Sequence, residues 1–416
     1  MTAQLKAPGG APIPLPTERV GLFNPPADLA RLREEEPVRR LVYPSGEVGW
    51  LVTDYELGRA VLGDQRFGKG IDDPQMHDPP VVAEVNERMK AAGDPAMMAM
   101  RAGNFLQMDP PEHTRFRRLL APYFTMSSLR AELGSVVQDI VDERLRAMEE
   151  AGPPVEFVTT FAEAVPLRTI CHMLGVPESG RATVRAFADG ALAERVDGDE
   201  VAAATRATGE LMRELVARRH AEPGEDLVSR MVVSGVLEDH EIVGVSMILA
   251  GAGFHTTSTM LANGTFALLC ERERWERLVA EPDLVERASE ELLRYLTVNQ
   301  LDAHTRTARE DVEIAGVLVK TGEHVHVSLP AVNRDPKRFE DPDALDVERD
   351  ARGQLTLGHG IHICLGQHLA RLEMYVAFRG LLARFPTLRL AVPVDEVPMP
   401  PGSAPLYSPY ELPVAW

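Results

Sequence analysis

The stretch from about Asp239 to Glu271 constrains the fold more than any other part of the chain. Ile242, Val245, Ile248, Leu249 and Phe254 are followed by Leu261, Phe266 and Leu269. That spacing predicts a helix long enough to cross the diameter of a domain and covered on most of its sides. Gly251 and Gly253 lie inside it. Each costs about 1 kcal/mol relative to Ala in a helix interior. They therefore need a return, either close approach by another group or a local break, with ordinary helix crowding as the alternative.

The 416 residues are 44% hydrophobic and 26% charged, which supports a substantial core and excludes a disordered or small stapled protein. Length alone leaves the domain count open. Lys and Arg total 44 against 63 Asp and Glu, and the net charge of -19 makes nucleic acid a poor partner. Cys171, Cys270 and Cys364 are too few and too widely spaced for a disulfide framework or a paired-cysteine zinc site. Met1 to Pro16 shows no secretory pattern, and the apolar run Ile242 to Phe254 is short of the roughly 20 residues a membrane span needs. The expectation is a cytoplasmic protein without a membrane span.

Residues 1 to 24, rich in Pro and Gly, read as an irregular lead-in, and Gly49 to Thr53 as a short strand. Apolar periodicity predicts helices near 127 to 150, 159 to 174, 181 to 193, 200 to 220 and 281 to 297, with a last one from just after Gly366 toward Phe385. Val325, Val327 and Leu329 alternate with His324, His326 and Ser328, while Gly316 and Gly322 supply turns, so Val312 to Leu329 reads as small strands. Met89, Met97, Met98, Met100 and Phe105 cluster in 80 to 106, where soft side chains line an adaptable pocket or pack a core or loop.

The densest chemistry is in Leu357-Gly358-His359-Gly360-Ile361-His362-Ile363-Cys364-Leu365-Gly366. Three glycines permit a tight excursion close to a planar ligand, and Cys364 falls where helix-start N–H groups favour a thiolate. One reading is a single axial thiolate to haem iron, which needs only Cys364. A zinc cluster of His359, His362, Cys364 and His368 and plain structural packing are the other two.

This loop resembles that of the cytochromes P450, Phe-Gly-x-Gly-x-His-x-Cys-x-Gly, from Gly358 through Gly366, with Leu357 in the initial Phe position. The resemblance spans nearly the whole chain in motif order. It includes Ala252-Gly253-x-x-Thr256, Glu291-Leu-Leu-Arg294 and Asn333-Arg334-Asp335-Pro336. It implies a predominantly α fold with smaller β-sheets, one catalytic domain over 1–416, and haem b between the long distal helix and the cysteine loop. Cys364 would be the iron ligand. The altered Leu357 leaves ligation intact but changes the packing around the sulfur.

His113 and Arg117 are four residues apart, so a helix directs both to one anion or to one cationic surface. By resemblance they hold the haem propionates with Arg306 and His362. Glu291 and Arg294 share a helical face as a routine ion pair or, by resemblance, as a brace for the cysteine region, with Arg349 as an additional partner. Thr256 matches the distal alcohol that organises oxygen and a water. His255 stands where the family has an acid. It carries protons near neutral pH but lacks a carboxylate's charge, so direct relay, a substrate or salt-bridge role, and a packing replacement all stay open.

The resemblance implies a monooxygenase that places one atom of O2 in a C–H bond, with hydroxylation of a polyketide, macrolide or related secondary metabolite as the expected reaction. A hydrogen-peroxide-dependent peroxygenase and a non-catalytic haem sensor or storage protein are the alternatives. The expected pocket combines apolar Met97, Met98, Met100, Phe254, Leu301 and Leu406 with polar Asn299, Gln300 and Asp302. Electrons would come from NADH or NADPH through a ferredoxin reductase and an acidic ferredoxin docking near Arg115 and Arg118, on a monomer.

Overall fold

In the structure, a computed structural model describing residues 11–43, 46–69, 80–192, 197–298, 304–404 and 406–416, the long helix runs unbroken from Asp239 to Cys270. Its start is held by a capping box in which Glu238 N donates to Glu241 Oε2 at 2.9 Å. Neither inner glycine breaks it. A Cβ on Gly253 would sit 3.2 Å from Ile170, so this glycine serves close approach, whereas Gly251 is merely in ordinary contact with Phe187. The tightest crossing lies elsewhere. A Cβ on Gly244 would fall 1.9 Å from Ala99 O, and one on Gly103 would fall 2.2 Å from Val245 N. Helix Pro95–Gly103 therefore meets the long helix backbone to backbone, which glycine alone permits.

The described residues form two compact units, each assembled from separated stretches of chain. One draws on Met1–His77, Ala280–Cys364 and Met399–Ser408, the other on Asp78–Val279, Leu365–Pro398 and Pro409–Trp416. The second unit is mainly helical. Around the long helix it has helices Pro95–Gly103, Ala164–Leu174, Arg181–Leu192, Gly198–Ala221 and Gln367–Arg384. The segment expected as one helix near 127 to 150 is two, Met126–Glu132 and Gly134–Ala151, divided at Leu133 where Gly134 weakens propagation. Val158–Ala162 is a π-turn feeding helix Ala164–Leu174, which Gly175 ends in the left-handed region at φ 76°. Residues 80 to 106 fold into Pro80–Ala91 and Pro95–Gly103, the latter capped by Asp94, whose carboxylate accepts from Ala96 N.

The first unit carries a five-stranded sheet in the spatial order Val38–Val42, Val48–Val52, His324–Val327, Thr305–Ala308, Phe67–Gly68. Only the pairing of Val48–Val52 with His324–Val327 is parallel. The alternation seen in the sequence separates two faces. Val325 and Val327 enter an apolar cluster with Trp50, Val52 and Val332. His326 and His324 instead meet Thr305 and Thr307 across the strands at 3.2 and 3.0 Å. Strands Val312–Ile314 and Val317–Val319 form a hairpin whose turn residues Ala315 and Gly316 both have positive φ. No helix among the described residues is long and apolar enough to cross a membrane.

Candidate active site

The cysteine loop is a run of short local bonds. Gly358 N donates to Leu355 O at 2.8 Å, Ile363 N to Gly360 O at 3.1 Å and Cys364 N to Leu357 O at 2.8 Å. Gly360, at φ 75°, has no room for a side chain, because a Cβ would lie 2.4 Å from Leu62 O. The loop thus folds back on the end of helix Tyr55–Gly63 and leaves Cys364 exposed. The other two cysteines are unsuited to ligation. Burial pushes the Cys171 thiol up to about 12 and the Cys270 thiol up to about 11.

A closed ionic network fixes the segment entering this loop. Arg294 grips Glu291 with two bonds of 2.7 Å and donates further to the carbonyls of Asn333, Pro342 and Ala344. Arg349 Nε reaches Glu291 Oε1 at 3.1 Å, as the resemblance implies. Both Glu291 and Arg294 are fully buried, so their charges persist only because every face of the pair is met by a partner. Asn333 extends the network. Its Nδ2 donates to Thr297 and Thr356, its Oδ1 accepts from Leu355 N, and Thr356 Oγ1 donates to Leu293 O. Helix Val285–Leu296 is thereby tied to residues 355 and 356, immediately before the loop. The sequence motif contained Asn333, but nothing in its spacing disclosed this tie.

His113 and Arg117 stand on helix Glu112–Leu120, the imidazole buried and the guanidinium half-buried. Burial, reinforced by the neighbouring Arg117 charge, holds His113 below its ordinary range. An anion bound here would pair with the Arg117 guanidinium and favour the protonated His113 ring beside it. Arg306, in strand Thr305–Ala308, is buried and donates to Thr305 O at 2.9 Å, and His362 is half-buried in the turn Gly360–His362.

The middle of the long helix differs from the rest. Between Ile242 and Leu269 every residue is buried except Ile248, Gly251, Ala252, Gly253, His255 and Thr256. Ile248, Ala252, His255 and Thr256 recur at helical spacing, so a single stripe of an otherwise covered helix is left open. Thr256 Oγ1 donates to Ala252 O at 2.8 Å, which commits its proton to the helix and leaves its lone pairs as acceptors. His255 Nε2 lies 2.9 Å from Asp189 Oδ1, on helix Arg181–Leu192. Asp189 was not foreseen, since no sequence spacing links it to His255.

A family model described as Cytochrome P450 matches residues 218–404. The chain is similar to Nocardicin C N-oxygenase of Nocardia uniformis subsp. tsuyamanensis, 41% identical and covering 93% of this chain and 94% of that one. It is also similar to Mycinamicin IV hydroxylase/epoxidase of Micromonospora griseorubida, 37% identical with 92% and 94% covered. The chain belongs to the cytochrome P450 family. Among solved structures, CYP105P1 in complex with filipin I superposes with a TM-score of 0.85 at 36% identity, covering 98% of this chain and 99% of that one. As a P450 it is a haem-binding monooxygenase with the family's predominantly helical fold.

Within this P450 the expected pocket residues fare differently. Met97 is buried in a cluster with Val85, Met89, Val201 and Ala202, the core-packing alternative. Met100 packs against that cluster half-buried, and Met98 is 49% exposed. Phe254 is fully buried with its ring 4.1 Å from the His255 ring, and Leu406 is half-buried. Asn299, Gln300, Leu301 and Asp302 lie outside the described residues. Arg115, expected at a docking surface, is exposed and also engaged within the fold. It pairs with both oxygens of Glu241 and donates to Val236 O at 3.2 Å, so its charge braces the start of the long helix. Arg118 on the same helix is exposed.

Proposed function

We propose that this P450 hydroxylates a C–H bond of a polyketide, macrolide or related secondary metabolite, with residues 1–416 acting as one catalytic domain around haem b. When bound, the haem supplies oxygen activation and the oxidation of the C–H bond. Cys364 is its thiolate ligand, and His113, Arg117, Arg306 and His362 hold its propionates through charge-assisted bonds. Thr256, its proton committed to Ala252 O, accepts from a water on the open stripe and keeps that water placed for proton delivery. Met98, Met100, Leu301 and Leu406 supply apolar contact to the substrate, Phe254 backs the His255 ring from within the core, and Asn299, Gln300 and Asp302 orient a polar group.

The observation that carries this reading is the open stripe, since a helix buried along nearly all its length leaves uncovered the turn that bears Thr256. Relatives named for nocardicin C and mycinamicin IV, and a similar structure holding filipin I, support the metabolite class. NADH or NADPH provides electrons through a ferredoxin reductase and an acidic ferredoxin, for which the exposed Arg118 and the exposed, Glu241-paired Arg115 are the contacts.

Turnover of a metabolite library with that electron chain and oxygen, followed by product identification, tests the proposal. Thr256→Ala is expected to fold and keep its haem while releasing more peroxide per reducing equivalent at the expense of product. Unchanged coupling would remove Thr256 from the mechanism. Product from hydrogen peroxide alone, with none from the electron chain, would make the chain a peroxygenase.

A further inference from the structure

The long helix carries an imidazole at 255, and a second helix brings a carboxylate to it. Asp189 Oδ1 stands 2.9 Å from His255 Nε2. Behind Asp189, Arg185 Nε lies 3.6 Å from Oδ2, and Arg185 also pairs with Glu163. The side chains of His255 and Asp189 are 17% and 47% exposed, so the pair runs from the open stripe toward solvent. Apolar groups also face this turn. The Phe254 ring is 4.1 Å from the imidazole, and Ile170 of helix Ala164–Leu174 faces Gly253.

We infer that Asp189 is a positioning residue of the oxygen chemistry, holding the Nε2 proton of His255 so that Nδ1 is left to exchange a proton with water beside Thr256. A carboxylate only accepts hydrogen bonds, and with Asp189 Oδ1 2.9 Å from a buried Nε2 that has no aligned hydrogen bond in the structure, a small turn of the ring suffices to seat an Nε2 proton on it. The role of a carboxylate in fixing an imidazole's tautomer and orientation is general. The negative charge that the long helix lacks at 255 is thus supplied by helix Arg181–Leu192, and Arg185 with Glu163 holds that carboxylate in place. His255 is thereby both held by a carboxylate and available for relay, two roles the sequence left as alternatives. The inference rests on the roles proposed above for Thr256 and the open stripe.

The test uses the full-length haem-loaded protein. In its reduced carbon monoxide complex, nitrogen-15 histidine spectra should show His255 protonated at Nε2, and Asp189→Ala should mix the tautomers while Asp189→Glu restores the native one. With the substrate returned by the turnover screen, Asp189→Ala should raise peroxide released per product by roughly 10-fold, less than the 10²–10⁴ that a direct acid or base contributes. In a His255→Ala background the same substitution should add nothing, because its effect passes through the imidazole. An unchanged tautomer, unchanged coupling, or an equal loss in the His255→Ala background overturns the inference alone. A wild-type protein that binds haem but makes no product overturns the proposed function, and this inference falls with it.

Discussion

Two carboxylates paired with nitrogen bases, Glu291 with Arg294 and Asp189 with His255, use similar chemistry in opposite surroundings. The first is wholly buried and every side of it is occupied: Arg294 has three backbone carbonyls besides its bidentate carboxylate, and Glu291 takes Arg349 and Asp346 N as well. The second is partly open, with Asp189 half in solvent and His255 on the uncovered stripe. The difference is access to water. A sealed pair cannot exchange protons and serves as a brace, whereas an open pair contributes little to stability and can exchange them. Glu373 makes a third case. It is as buried as Glu291, yet burial without a facing cation pushes its carboxyl up to about 8, against a weaker opposing contact from Thr169.

The largest effect belongs to the sealed pair. Arg294→Ala leaves Glu291 charged and buried, and should cost about 3–5 kcal/mol together with much of the haem content, read by thermal unfolding and haem absorbance. Arg294→Lys should not rescue it, because an ammonium cannot reproduce the bidentate grip and the carbonyl contacts. Normal haem content and stability in Arg294→Ala would break the comparison at its sealed end.

Glu373 sharpens it. Its folded carboxyl titrates near 8 against 4.5 in the ordinary case, so between those values the folded state holds a proton that the unfolded state has released. Stability from the neutral acid is complete below 4.5 and is lost as pH rises through about 8, at up to about 1.4 kcal/mol per pH unit. Melting temperatures from pH 5 to 9 should therefore fall with pH, and Glu373→Gln should flatten the slope. Equal slopes would show that this carboxyl is charged in the folded protein.

The smallest stability effect is expected at the open pair. Asp189→Ala should change unfolding free energy by less than about 1 kcal/mol, in keeping with exposed ion pairs. A loss as large as that of Arg294→Ala would mean that Asp189 is a brace after all.

The long helix, the final helix and the alternating strand were legible because one-sided burial imposes its own period on the sequence. Glu291 with Arg294 was legible as a pair because three residues make one helical face, and resemblance supplied its purpose. What escaped depends on contacts between distant stretches. Gly244 against Ala99, Asn333 against Thr356 and His255 against Asp189 leave no periodic trace. Gly251 and Gly253 pointed to a close approach or a local break, and the structure has an unbroken helix with Ile170 close against Gly253. Arg115 is the surface cation it looked like, and only its pairing with Glu241 escaped, because that partner lies on another helix. Met97 was ambiguous for a different reason, since a flexible thioether suits a pocket wall and a core equally well.

The central claim is that the exposed Cys364 is the thiolate ligand of a haem. The reduced carbon monoxide spectrum of wild type and Cys364→Ala tests it most directly. The wild type should give the red-shifted absorption of thiolate-ligated haem, and Cys364→Ala should lose both that band and normal turnover, since no neighbour restores the axial charge. A Cys364→Ala protein that keeps the red-shifted band and its product would contradict the assignment.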